Sequence, residues 1–87
     1  LMKLKHGFIT HETENEQIMV STEKKVFSGL IRSNKTAALI VNKLKVETSK
    51  EEIVQEFLNR YDVSRKIAER DIENILQQLK NIGALDE

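Results

Sequence analysis

His6 and His11 are the two imidazoles of this chain, and the side chains best suited to metal binding or proton transfer; they stand five residues apart. In a regular strand an odd separation sends them to opposite faces. A shared metal would then need a bulge at Gly7 and further ligands that the sequence does not place. Carboxylates suited to acid–base work occur as Glu51, Glu52 and Glu56, and as Glu69 with Glu73 one helical turn on. Nothing apolar surrounds them to raise a pKa, so they read as solvated helix faces. Ser21, Ser28, Ser33, Ser49 and Ser64 lack the elbow or neighbouring base that makes a nucleophile. Gly7, Gly29 and Gly83 are scattered, which excludes a glycine-rich phosphate loop. With no cysteine there is no disulfide and no thiolate chemistry. The residues therefore point away from an enzyme and call for no cofactor or metal. Binding is what remains.

The totals narrow the partner. A length of 87 residues allows a single domain over residues 1–87 with one modest core, and no separate catalytic lobe. The 14 Lys and Arg residues balance the 14 Asp and Glu, so the basic excess that accompanies nucleic-acid or anionic-membrane binding is missing. An apolar content of 39% beside 32% charge describes a folded domain rather than a disordered segment. No run approaches the ~20 apolar residues of a membrane span. Residues 1–6 are too short and polar for a signal peptide. The expectation is a cytoplasmic protein with no membrane partner, which the lack of cysteine suits.

The elements divide at one point. Before Ser33 apolar residues alternate among Thr, Val and Ile; after it they recur every three or four positions. The pattern predicts an α+β chain, three antiparallel strands followed by three helices (βββααα), like a winged helix-turn-helix. The first strand is expected over residues 7–13, with Phe8, Thr10 and Glu12 on one face and Ile9, His11 and Thr13 on the other. Residues 17–21 return antiparallel, and residues 26–32 form the third strand.

Asn34 then caps a helix over residues 35–44, whose Ala37, Ile40, Val41 and Leu44 share a face. Overlapping capping boxes, Thr48 with Glu51 and Ser49 with Glu52, start the second helix, which runs to about Tyr61 and buries Ile53, Val54, Phe57 and Leu58. Ser64 caps the longest helix, over residues 65–82, with the stripe Ala68, Ile72, Ile75, Leu76, Leu79 and Ile82. Gly83 ends it in the left-handed conformation, and Leu85 folds back as the apolar contact of that cap.

The third strand is unusual. Val26, Ser28, Leu30 and Arg32 share one face and Phe27, Gly29 and Ile31 the other, so both faces carry apolar residues. Either the chain covers both itself, with Gly29 marking a bulge, or the second face or the edge meets a partner. At a sheet edge, the unpaired N–H and C=O groups of this strand would offer a docking rail for another extended chain.

Three helices beside a hairpin also describe a DNA-binding regulator. Its recognition helix would carry Arg65, Lys66, Arg70 and Lys80 against Glu69, Asp71 and Glu73. That balance leaves few uncompensated cations for phosphates, so no nucleic-acid partner is expected.

The ordered set Phe27, Gly29, Leu30, Ile31, Arg32, Asn34, Thr36, Ala37, Ala38 and Ile40, then Thr48, Glu52, Ile53 and Val54, then Tyr61 and Asp62, then Asp71, Ile72, Ile75, Leu76, Leu79 and Gly83 resembles the PqqD family. Its founding member assists pyrroloquinoline quinone (PQQ) biosynthesis, and related domains are known as RiPP recognition elements. The resemblance runs from about residue 7 to residue 86. This chain departs from the family pattern at Ser33, where Leu is frequent, at Val41, where an aromatic is frequent, and at Lys45 and Val46, which replace Asp-Gly.

The resemblance implies a non-catalytic, winged-helix-like domain that binds the leader of a ribosomally made precursor peptide and presents it to a modifying enzyme, often a radical-SAM maturase. The leader would add as a strand along Val26, Phe27, Ser28, Gly29, Leu30, Ile31 and Arg32, in a groove walled by Ile67, Arg70, Asp71 and Asn74 of the third helix. Leu30 or Ile31 with Ile67 would form an apolar slot, and Asp71, Arg70 and Arg32 would test the charge or hydroxyl beside it. Asp71 reads equally as a solvated charge near Arg70 and Asn74, and Leu30 equally as core. Two further readings stand beside leader capture. In one the edge pairs with a second copy, so the protein is a homodimer rather than a monomer; in the other the acidic second helix docks on a folded enzyme as an adaptor.

Overall fold

The change of period after Ser33 is realised as a sheet followed by helices in a computed structural model, which describes residues 1–22 and 30–87 and, over residues 30–33, the backbone. The order is β1 (Lys3–Leu4), β2 (Phe8–Glu12), β3 (Gln17–Ser21), β4 (Leu30–Ser33), α1 (Lys35–Lys43), α2 (Lys50–Arg60), α3 (Arg65–Asn81) and β5 (Leu85–Asp86). Strands β2, β3 and β4 form an antiparallel sheet with β3 in the middle. The third strand predicted over residues 26–32 is thus described as Leu30–Ser33, with Ser33 added at its end. Val26, Phe27, Ser28 and Gly29 lie outside the described residues.

The ladder fixes which backbone groups each strand shares. Thr22 N–H donates to Gly7 O at 2.7 Å and Thr13 N–H to Glu16 O at 2.8 Å, at the two ends of the β2–β3 pair. Antiparallel pairs alternate between hydrogen-bonded and open. Between those ends, Ile9 with Val20 and His11 with Ile18 are therefore the bonded pairs. The groups of Gln17 and Met19 then turn the other way, toward their β4 partners Ser33 and Ile31. On β4 this leaves the N–H and C=O of Leu30 and Arg32 facing away from the sheet.

The faces follow the same parity. Met19 and Gln17 are buried against the helices, whereas Ile18 and Val20 are half-buried and Ile9 and His11 exposed on the opposite face. Gln17 Nε2 donates to Asn42 Oδ1 of α1 at 2.8 Å and to Glu12 Oε1 of β2 at 3.3 Å, and Asn42 Nδ2 donates to the same Glu12 oxygen at 2.8 Å.

Each helix begins where a capping side chain satisfies an orphan amide. Asn34 Oδ1 accepts from Ala37 N–H at 3.0 Å, and Ser49 Oγ and Ser64 Oγ accept from Glu52 and Ile67 N–H at 3.2 Å each. Of the two overlapping boxes, Ser49 is the cap. Thr48 is buried and gives its hydroxyl to Glu52 Oε2 at 3.1 Å, while Glu51 turns to Arg65 and Gln55. The predicted last residues Leu44, Tyr61 and Ile82 are the C-caps of α1, α2 and α3. After Ile82, Gly83 has φ 74°, with Gly83 N–H on Lys80 O at 3.0 Å and Ala84 N–H on Leu79 O at 2.8 Å. That pair of bonds is the Schellman closure, which a left-handed glycine permits.

Two strands escaped the sequence. β1 and β5 pair antiparallel, Lys3 with Asp86 and Leu4 with Leu85, and form a second sheet. Met2 and Thr48 exchange backbone bonds of 2.8 Å beside it. A two-residue strand shows no alternation, so only the tertiary fold reveals it. The core combines Met19 with Ile40, Val41, Leu44, Ile53, Val54, Phe57, Ala68, Ile72, Leu76 and Leu79, closed by Ala84 and Leu85. Truncating Ile72 to Ala is expected to lower stability by about 2–5 kcal/mol. Gly83→Ala, which forces a Cβ into the left-handed region, should cost about 1–2 kcal/mol, both read as urea midpoints.

Candidate functional site

A cleft of about 390 Å³ opens between the first turns of α1 and the middle of α3. Asn34, Thr36, Ala37 and Ile40 form one wall, Asp71, Asn74, Ile75 and Gln78 the other, and Phe57 of α2 lies between them. Ala37, Ile40 and Phe57 are buried and Ile75 half-buried, whereas Asn34, Asn74 and Gln78 are exposed. The cleft thus has an apolar floor and a rim of amides and hydroxyls. Thr36 Oγ1 donates to Asn34 Oδ1 at 2.8 Å, so the cap also holds the rim hydroxyl. Because Asn34 directly follows Ser33, the α1 wall begins where β4 stops.

Among the described lining residues Asp71 carries the one charge. Among the described residues its ion partner is Arg70, with Nε 3.9 Å from Oδ1, a separation that leaves the carboxylate able to accept a ligand's donor. Arg70 projects 70% of its side chain into solvent and lies off the lining. Ile67 is 39% exposed, one turn before Asp71 on the same side of α3. Of the residues expected from the sequence, then, Asp71 and Asn74 come together at the cleft, Ile67 and Arg70 flank it, and Leu30, Ile31 and Arg32 lie on the edge strand. Ile31 is the register partner of the buried Met19, and Leu30 and Arg32 pair with Val20 and Ile18.

Sequence reasoning passed over the α1 wall. Ala37, Ile40, Phe57 and Ile75 carry the helical stripe of core residues and Asn34 the mark of a cap. Only the packing of α1 on α3 shows that they also border open space. A hollow of about 410 Å³ on the other flank, between the β2–β3 turn, α1 and the end of α2, contains none of the expected residues.

Ion pairs fix the set of α3 against α2. Lys50 Nζ meets Glu73 Oε2 at 2.7 Å, and Arg65 bonds both Glu51 and Glu69. The Glu51 carboxyl is held below its ordinary pKa by hydrogen bonds from Gln55 and then Arg65, and the Glu73 carboxyl by Lys50. On α2, Glu56 also has Arg60 at 3.6 Å, so the acidic face expected for an adaptor is partly neutralised within the chain.

The family model for coenzyme PQQ synthesis protein D (PqqD) matches residues 16–85. The chain belongs to the PqqD family. Two solved structures share the fold. TbiB1, in complex with the TbiA(beta) leader peptide, superposes with a TM-score of 0.84 at 21% identity, over 97% of this chain and 94% of that one. Lasso peptide synthetase B1, complexed with the leader peptide, gives a TM-score of 0.80 at 27% identity, over 99% and 98% of the two chains. No curated protein matches by sequence. Among the described residues of this PqqD-family chain, no helix is long and apolar enough to cross a membrane, and no three of His, Cys, Asp and Glu cluster to hold a metal.

Depressed carboxyl pKa values set the sign of the acid response. The Glu51 and Glu73 pairs contribute fully above the ordinary carboxylate range and are lost as pH falls through the lowered folded-state values. The parent should therefore lose melting temperature on acidification, and a Glu51→Gln/Glu73→Gln variant should lose less between neutral and acid pH.

Proposed function

We propose that this chain captures the leader segment of a ribosomally made precursor peptide as an added strand on β4 and presents it to a modifying enzyme. The observation that carries this reading is the outward-facing backbone of Leu30 and Arg32, running into the cleft between α1 and α3, in a chain of the PqqD family. The two solved neighbours were each captured with a leader peptide, which supports the same ligand class here.

Magnitudes divide the work between backbone and side chains. Two outward residues offer four hydrogen bonds, each worth about 1 kcal/mol net, which alone reaches only about millimolar affinity. Burying one or two leader side chains over Ala37, Ile40 and Phe57 adds about 1.5–3 kcal/mol each and brings binding toward micromolar, before ordering costs. The edge thus supplies direction and the cleft supplies selectivity. Asp71, Asn74 and Gln78 would accept or donate to a polar tip on the residue that enters. Ile67 extends the apolar wall and Arg70 offers a charge at the rim.

In this reading residues 1–87 act as one non-catalytic binding domain in the cytoplasm, and the enzyme it serves is of radical-SAM type. DNA is the weaker alternative, because phosphate contacts need an uncompensated cation and the charge in the described cleft is Asp71.

Hydrogen exchange on an isotope-labelled sample, with and without the precursor peptide encoded beside the gene, tests the proposal. The amides of Leu30 and Arg32 should slow on binding while that of Ile31, already bonded to Met19, changes little. Asp71→Ala should weaken the complex by about tenfold or more, the loss of one hydrogen bond to a charged group. Unaltered exchange at Leu30 and Arg32, with shifts confined to Glu51 and Glu56, would instead establish the adaptor.

A further inference from the structure

Among the described residues β2 is the other edge of the sheet, opposite β4. The pairing that turns Ile9 and His11 toward β3 leaves the N–H and C=O groups of Phe8, Thr10 and Glu12 pointing outward. Space beside the strand is open at both ends, where Phe8 and Ile9 line one hollow and Glu12 and Thr13 another. Ile9 itself is 55% exposed. An edge of this kind invites pairing unless charge or a bulge blunts it.

Here the charge selects a partner instead. Lys5 and His6 precede β2 with no acid among residues 1–6, and Glu12 and Glu14 close it, with Lys35, Lys43 and Arg60 on the far wall of the hollow beside them. Run parallel, two such strands set like against like. Run antiparallel, the basic entry of each meets the acidic exit of the other. The segment complementary to β2 is β2 itself.

We propose that β2 pairs antiparallel with β2 of a second copy about a two-fold axis at Thr10, joining two three-stranded sheets into one. This register satisfies all the outward groups of the strand: Thr10 bonds the partner subunit's Thr10, and Phe8 bonds the partner subunit's Glu12. It also sets Ile9 beside the partner subunit's His11 and brings Lys5 toward the partner subunit's Glu14. The contact is isologous, so it closes at two copies. Each copy keeps β4, on the far side of its own sheet, for a leader, so the dimer stands or falls independently of leader capture.

Sedimentation of the full chain over rising concentration tests this, with Lys5→Glu and Glu14→Lys as exposed variants. The parent mass should double with concentration and the transition should move to higher concentration with added salt. Each variant alone should stay at monomer mass where the parent has doubled. An equimolar mixture of the two should regain the doubled mass, because at one end the acid placed in one chain meets the base placed in the other, and at the other end native Lys5 meets native Glu14. Amide exchange at Phe8, Thr10 and Glu12 should slow as the parent associates. A constant monomer mass overturns the proposal, as does a mixture that stays monomeric or a dimer in which the slowed amides are those of Leu30 and Arg32.

Discussion

Gln17 does what the hydrophobic pattern of β3 cannot. The segment QIMVS is apolar on both faces, since Met19 is flanked by Ile18 and Val20, and a slip of one residue would still bury a hydrophobic side chain. Gln17 forbids the slip. Its buried amide bridges Asn42 of α1 and Glu12 of β2, so β3 can lie in one register only without stranding those groups. The arrangement is not free of cost, because among the described residues Gln17 Oε1 is itself buried without a hydrogen-bond partner. The register it enforces decides, strand by strand, which peptide groups are consumed inside the sheet and which are left for others. The outward groups of Leu30 and Arg32 on one rim, and of Phe8, Thr10 and Glu12 on the other, are consequences of where one glutamine sits.

The helices were largely legible because local chemistry marks their ends. Asn34, Ser49 and Ser64 are caps in fact as in pattern, and Gly83 adopts the positive φ that its position asks for. Ambiguity arose only where two cap signals overlapped, and Thr48 lost to Ser49 because its backbone is pledged to Met2. The short strands were illegible for the opposite reason. Lys3 and Asp86 pair across almost the whole chain, and two residues contain no period to detect. The cleft falls between these cases. Asp71 and Asn74 could be named through the family resemblance, but the facing wall is made of residues whose spacing says core, and an opening beside a core is a property of packing rather than of sequence.

In the proposed reading, zero net charge suits a module that recognises main chain. A strand rail reads no sequence by itself, and discrimination would fall to the cleft, where Asp71, the one charge among its described lining residues, stands over an apolar floor. The ion pairs of the α2–α3 junction, Lys50 with Glu73 and Arg65 with Glu51, hold the wall in position without entering the cleft.

The pairing of β1 with β5 has a kinetic consequence. It joins Lys3 to Asp86 and Leu4 to Leu85, the widest sequence separation of any strand pair among the described residues, so it must close a long loop. The entropy of such closure grows only as the logarithm of loop length, but it has to be met before any bond rewards it. Two residue pairs cannot drive that step by themselves. The clasp therefore depends on the helices to bring its two strands together, and Ala84 and Leu85 join it to their core.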